Sequence, residues 1–229
     1  VVPFAWRDDF AAAKNFALDQ ARGRWILFPD ADEYFTEASL ARIPQLLRQG
    51  ERDSSVAGYL CRLVNIDEDD GGRVSSVTTQ VRIFRHLRQL RYTGSVHEAL
   101  TIPEGKRLLL VPDLTIYHTG YSGKIVREKL LRNLALLERN KRAHRNPGDV
   151  QERRYYMDIY YGLKEYGKAI ACAREILKDP TATETMRTRC YETWASACIE
   201  GHFPAAEIEE SLDAAIAARP EEAEFPLMK

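Results

Sequence analysis

The sequence predicts an α/β domain built on a mixed sheet with flanking helices, followed by an all-helical region. Three observations carry that prediction. From Gly23 to Glu33 an apolar run, Trp25-Ile26-Leu27-Phe28, stops abruptly at Pro29 and the carboxylates Asp30, Asp32 and Glu33. Between Val56 and His118 lie several strand-like stretches. After Tyr121 every strand pattern is lost, and apolar residues recur only at helical spacing. A chain of 229 residues with 45% hydrophobic content can bury a sizeable core, as one large domain or two smaller ones.

In chain order, Val1 to Phe4 reads as the end of a strand. Asp8 or Asp9 then caps a helix whose Phe10, Ala13, Phe16, Ala17 and Ala21 fall on one face, and Gly23 closes it. Trp25 to Phe28 are apolar without alternation, which predicts a strand covered on both faces, as in the interior of a parallel sheet. Thr36 caps the next helix, through Gln49, with Leu40, Ile43, Leu46 and Leu47 as its buried stripe and Gly50 as its stop. Val56 to Ile66 reads as a strand ending in the acidic turn Asp67 to Gly72, and Val81 to Arg85 as a second. Arg91 to Glu98 is a glycine-containing strand-to-loop passage. Leu108 to Val111 and Leu114 to His118 read as two short strands divided by Pro112 and Asp113.

The helical region opens with a long helix from Ser122 to Arg145, with Ile125, Leu130, Leu134 and Leu137 inward, ended by Asn146-Pro147-Gly148. So short a connection predicts that the later helices pack on the first domain. Tyr160, Tyr166, Ala169, Ile176 and Pro180 follow a tetratricopeptide rhythm, and Trp194, Gly201, Ala215 and Pro220 give a weaker second copy. Glu221 to Lys229 reads as the opening of a further helix with nothing behind it to stack on. The predicted domains are therefore 1–121, a connecting helix over 122–148, and helical repeats over 149–229.

Composition excludes several function classes. Lys+Arg 33 against Asp+Glu 34 leaves a formal net charge of -1, so no global field attracts nucleic acid. Cys61, Cys172, Cys190 and Cys198 form no C-x-x-C pair and read as reduced core thiols, not a zinc site or disulfide framework. No apolar run approaches the ~20 residues of a membrane span. The expected location is cytoplasmic, with peripheral association at the inner face of the membrane left open.

The carboxylates are the chemical signal. In extended backbone the side chains of Asp30 and Asp32 leave on one side, offering two hard oxygen ligands to a divalent cation that shares its shell with substrate phosphates. The competing reading is that they cap the turn into the next helix.

The run from Trp6 to Glu33, with Lys14-Asn15, Gly23, the apolar strand and Asp30-Ala31-Asp32, resembles family 2 glycosyltransferases. Within them it resembles the group that carries tetratricopeptide repeats after a catalytic domain of the nucleotide-sugar-binding GT-A type. The resemblance implies metal-dependent, inverting sugar transfer from a nucleotide-sugar donor, expected to be UDP-linked, to a peptide, protein or glycan-carrier acceptor. It implies that Asp30 and Asp32 meet Mn²⁺ or Mg²⁺ and the diphosphate, and that Lys14 and Asn15 approach the nucleotide. His118 resembles a third metal position, or else bonds within its own turn. Glu33 is either an outer support of the metal or a helix-start carboxylate. Arg82, Arg85 and Arg91 either steady phosphates or are surface charge.

Inversion requires a base on the face opposite the leaving group. With Asp30 and Asp32 committed to the metal, Asp67 to Asp70 in a polar turn and the carboxylates from Glu128 on in the helical region, Glu98 is what remains, with His97 to orient it or an acceptor hydroxyl. The competing reading makes Glu98 a helix-start carboxylate or a partner for Arg91. In the family a strand-helix-strand region precedes the position of Val1 and supplies much of the base and ribose pocket. Its absence here makes the chain either a fragment or a natural remnant that keeps the metal and acceptor half of the site without most of the donor half; either case predicts a truncated GT-A-like domain, compromised activity and an exposed sheet edge that invites pairing with another chain. The rival from another class is a non-catalytic module that binds protein or peptide through its helical repeats.

Overall fold

The computed structural model describes residues 2–119, 123–142 and 149–228, the side chains of 123–125 and 140–142 excepted. The chain divides into two compact units, Val1–Val126 and Arg127–Lys229.

The first unit opens with α1 (Phe10–Gln20), capped by Asp9, whose Oδ1 accepts from the Ala12 N–H at 2.8 Å. Residues 2–4 form no strand; Phe4 instead stacks on Phe16 of α1, with centroids 5.1 Å apart. The helix ends at Ala21, ahead of the predicted stop at Gly23, because Ala21 turns to extended backbone.

A five-stranded sheet follows in the order β1-β4-β3-β7-β2. Its strands are β1 (Trp25–Leu27), β2 (Glu33–Phe35), β3 (Val56–Asp67), β4 (Arg73–Arg85) and β7 (Arg107–His118). Only β3 and β7 run parallel; β1–β4, β3–β4 and β2–β7 are antiparallel. The interior parallel position expected of Trp25 to Phe28 is thus wrong. Among the described strands β1 pairs with β4 alone, and Leu27 is 44% exposed. The apolar character of β1 serves other contacts: Ile26 is buried, and Trp25 stacks on Tyr59 at 5.7 Å under the Arg85 guanidinium.

The helix α2 (Glu37–Arg52) is capped by Thr36 as its sequence predicts. Ile43 and Leu46 are buried, but Leu40 is 52% exposed, one turn outside the stripe. Gly50 does not stop α2; it lies within it, where an added Cβ would come 2.6 Å from the Trp25 ring and 2.7 Å from the Tyr59 hydroxyl. Its lack of a side chain serves close packing.

Two further strand expectations change. The second strand begins at Arg73, not Val81, so β3 and β4 make a long hairpin around a short 3₁₀ turn at Glu68–Asp70. The two short strands near Pro112 are one strand, β7, whose register jumps from Cys61↔Val111 to Arg62↔Thr115. Residues 112–114 bulge out there, which accommodates a proline with no N–H to give the ladder. A separate ribbon pairs β5 (Arg91–Thr93) with β6 (Ala99–Thr101), so Glu98 lies in the connection and does not end a strand.

Of the long helix, α3 (Gly123–Arg142) is described, with Leu136 and Leu137 buried. Its predicted start at Tyr121-Ser122, the side chain of Ile125 and the stop at 146–148 lie outside the described residues. In the second unit α4 (Val150–Gly162), α5 (Tyr166–Lys178), α6 (Glu184–Glu200) and α7 (Ala205–Ala218) stack in sequence, the helix-pair arrangement the rhythm predicts. A short α8 (Glu224–Met228) is not left without a neighbour, since Phe225 is buried and α8 meets α7.

Candidate active site

The carboxylates after β1 are held in a turn. The Glu33 N–H donates to the Asp30 carbonyl at 3.0 Å, and the Asp30 N–H donates to Glu33 Oε2 at 2.9 Å. This corrects the extended backbone expected between Asp30 and Asp32, and their side chains meet different partners.

Asp30 belongs to a ladder of alternating charge. Lys14 Nζ bridges Glu98 Oε1 at 2.7 Å and Asp30 Oδ1 at 3.1 Å, and Arg82 bridges Asp30 Oδ2 at 2.8 Å and Glu33. Arg82 grips Glu33 in a fork, Nε to Oε2 and Nη2 to Oε1, both at 2.6 Å. The Glu33 side chain is only 2% exposed, Arg82 8% and Asp30 39%. Burial opposes the Arg82 charge, but the hydrogen bond and charge of Glu33 with the charge of Asp30 outweigh it and raise the guanidinium above its ordinary pKa. Glu33 is therefore a buried anchor at the start of β2, not a helix-start carboxylate. Arg82 to Glu33 spans 49 positions, and nothing in the sequence pairs them.

Lys14 also lies over the rings of Phe28 and Tyr92, at 5.7 and 5.2 Å. Burial pushes the Tyr92 phenol well above its usual range; Asp30, Glu98 and Glu33 add to the shift, and Arg82 opposes it. Asn15, the neighbour of Lys14, engages both backbone polar groups of one residue. Its Nδ2 donates to the Tyr92 carbonyl at 2.8 Å, and its Oδ1 accepts from the Tyr92 N–H at 2.9 Å.

Asp32 faces the other way, its Oδ2 3.2 Å from His118 Nε2. Strand register makes the pair: β2–β7 aligns Glu33 with His118, which brings the preceding Asp32 to the end of β7. His118 Nδ1 is 2.7 Å from Asn65 Oδ1. No third His, Cys, Asp or Glu joins Asp32 and His118 in a metal-binding group among the described residues. An oxygen and a nitrogen donor so close suit a divalent ion as a two-ligand site, with water and substrate phosphates completing the shell.

Residues 1–103 match the family model Glycosyl transferase family 2. Over these residues the α/β unit is similar to a family 2 glycosyltransferase domain. Over 139 residues the chain is 28% identical to the SPbeta prophage-derived glycosyltransferase SunS of Bacillus subtilis, covering 58% of this chain and 31% of that protein. The SunS glycosyltransferase of Bacillus phage SPbeta matches to the same extent. A TPR repeat-containing protein of Synechococcus elongatus is 33% identical over 124 residues, 51% of this chain and 29% of that protein. The chain thus spans about a third of the length of these curated relatives. The mixed sheet with flanking helices is consistent with the GT-A fold of this family.

In the α/β unit, then, the structure joins Lys14, Asp30 and Glu98 in one cluster and Asp32 with His118 in another. His97 is exposed, with a left-handed backbone at φ 55°. Of the arginines considered for phosphates, Arg82 is the buried keystone just described. Arg85 donates to the backbone carbonyls of Val56 and Gly50, and Arg91 pairs with Asp19 at 2.8 Å. Asn65 is a site residue that sequence reading missed, and Arg82 was considered for phosphates or as surface charge, not as the partner of Glu33 and Asp30. Asn65 left a trace, as an amide amid the apolar residues of β3.

Proposed function

We propose that the family 2 domain transfers a sugar from a nucleotide-sugar donor, UDP-linked, to an acceptor, with inversion and with help from Mn²⁺ or Mg²⁺. The observation that carries this reading is the Asp30–Glu33 turn, which sends one carboxylate to His118 and the other to Lys14 within a family 2 domain. Asp32 and His118 would hold the metal, which when bound acts as a Lewis acid on the leaving diphosphate. Asp30, fixed by Arg82, and Lys14 would meet the nucleotide side of the donor. Glu98, 2.7 Å from the Lys14 ammonium, would take the proton from the acceptor.

No helix among the described residues is long and apolar enough to cross a membrane. The helical unit has a cleft of about 620 Å³ whose lining includes Arg154, Glu184, Arg189, Glu192 and Arg219. A carrier of the acceptor, peptide or protein, would lie there.

Calorimetry with Mn²⁺, alone and with UDP, tests the reading on the wild type and Asp32→Ala. The wild type should bind the ion weakly and more tightly once UDP is present, and the variant should lose both effects. Equal binding by the two proteins would overturn it.

A further inference from the structure

The outer edge of β4 is open just beyond the candidate site. β1 lies along that edge only from Arg85 to Ile83, with one more bond from the Phe28 N–H to the Arg82 carbonyl at 2.8 Å. The chain then leaves the sheet at the Asp30–Glu33 turn. From Val81 back to Arg73, β4 pairs with β3 alone among the described strands. Residues 73–80 are exposed throughout, Val74 and Val77 included. Register to β3 is unbroken from Ser76 to Val81, a straight edge of about 20 Å. Its side chains, Ser76-Val77-Thr78-Thr79-Gln80-Val81, suit a strand and carry no charge. Exposed edges are commonly guarded by lysine, proline or a bulge, and this stretch has none of them. Arg73, at its near end, is tied to Asp70 at 2.6 Å.

We infer that this edge receives an extended, uncharged segment of the acceptor polypeptide, which adds to the sheet as a further strand in line with β1. The segment's main chain supplies the hydrogen bonds, so side-chain preference is loose and favours β-branched and hydroxyl residues beside those of β4. Such a strand ends beside Arg82, whose guanidinium holds Asp30 and Glu33. The residue past the paired stretch is thereby delivered to the cluster in which Lys14 joins Asp30 to Glu98. A second copy of this chain fits the edge less well. Identical strands paired antiparallel across a twofold axis over Ser76–Val81 would set Arg73 against Phe84 and Val74 against Ile83, where β1 already lies. The register that clears β1, 73–80 against 80–73, carries the partner's acidic turn Glu68–Asp70 up to the Asp30 turn. There Asp30, Glu33 and Glu98 already share two cations, Lys14 and Arg82, and like charge opposes the approach. A free segment without charge turns aside past Val81 and meets neither obstacle.

The identity of the segment as acceptor rests on the proposed sugar transfer; pairing at the edge does not, and the test separates them. The probe is a blocked octapeptide of Thr, Val and Ser. Its control is the same peptide with every backbone nitrogen methylated, which has no N–H to give the edge. Amide exchange of the full chain is read by NMR. In the free protein alternate amides of Ser76–Val81 should exchange fast, since every second N–H of an edge strand faces away from its neighbour. With the octapeptide at about ten times its Kd, those amides should slow about tenfold, because they exchange only from the unbound edge. The methylated peptide should leave them unchanged. Slowing by both peptides, or by neither, overturns the inference. Slowing without peptide that grows with protein concentration overturns it in favour of a second copy. If the wild type binds neither Mn²⁺ nor UDP while the octapeptide protects the edge, the transfer reading falls and the docking edge stands. If it binds both while the edge stays unprotected, the docking edge alone falls.

Discussion

Replacing Arg82 by Met removes the centre of the charge ladder while keeping much of the aliphatic stem. The wild-type guanidinium makes two bonds to a carboxylate that is 2% exposed and one to Asp30, which is 39% exposed. The Asp30 bond is partly screened and should contribute ~1 kcal/mol or less. The main loss is at Glu33, left as a buried charge without its partner, for which the expected cost is about 3–5 kcal/mol. Replacing both residues, as Arg82→Met with Glu33→Met, removes the stranded charge. The double variant should return to within roughly 1–2 kcal/mol of wild type, the remainder reflecting the acceptor lost by the Asp30 N–H. Hydrogen exchange over β3 and β4 reads this without interference from the helical unit. Arg82→Met should speed exchange there by roughly 10²- to 4 × 10³-fold. A change below tenfold, or a double variant as unstable as the single one, would refute the reasoning.

Three further outcomes are expected. Gly50→Ala gains helix propensity of ~1 kcal/mol but meets Trp25 and Tyr59, so the melting temperature should fall, by a net cost of up to about 2 kcal/mol; a rise would contradict the packing account. Glu98→Gln should abolish transfer in an acceptor assay while leaving Mn²⁺ and UDP binding intact, and near-normal turnover would send the search for the base elsewhere. Burial pushes the Cys61 thiol from 9.0 up to about 11 and Cys190 up to about 12. Both thiols therefore stay protonated in the native state where the unfolded chain would ionise. Their stabilising effect is complete below pH 9.0 and is lost as the pH rises through the native values, so native-state alkylation should begin at the less buried Cys172, and unfolding midpoints should drop in the alkaline range.

What the sequence announced and what it hid follow from range. Asp9 and Thr36 were legible as caps because the N–H each accepts from lies three residues on. β3 was legible because its whole length lies against the core. The first half of β4 was not: residues 73–80 are exposed on both faces, so pairing to β3 leaves no hydrophobic period to read. Gly50 looked like a helix stop because the reason for it, the indole of Trp25, is 25 positions away. In the site, Asp30, Asp32 and His118 carried a motif, whereas the partners that aim them, Arg82 and Asn65, depend on strand register and declare themselves only when the sheet is assembled.

The Asn15 clamp carries a consequence for its neighbour. By taking both the N–H and the carbonyl of Tyr92, the amide does for β5 what an adjoining strand would do, and so locks the rotation of α1 about its own axis. Successive residues on a helix are set about 100° apart. The azimuth of Lys14 is therefore determined one residue away, by a contact that involves no charge. A substitution at Asn15 that left every ionic group in place would still swing the ammonium off the gap between Asp30 and Glu98, and the two carboxylates would lose their shared cation together.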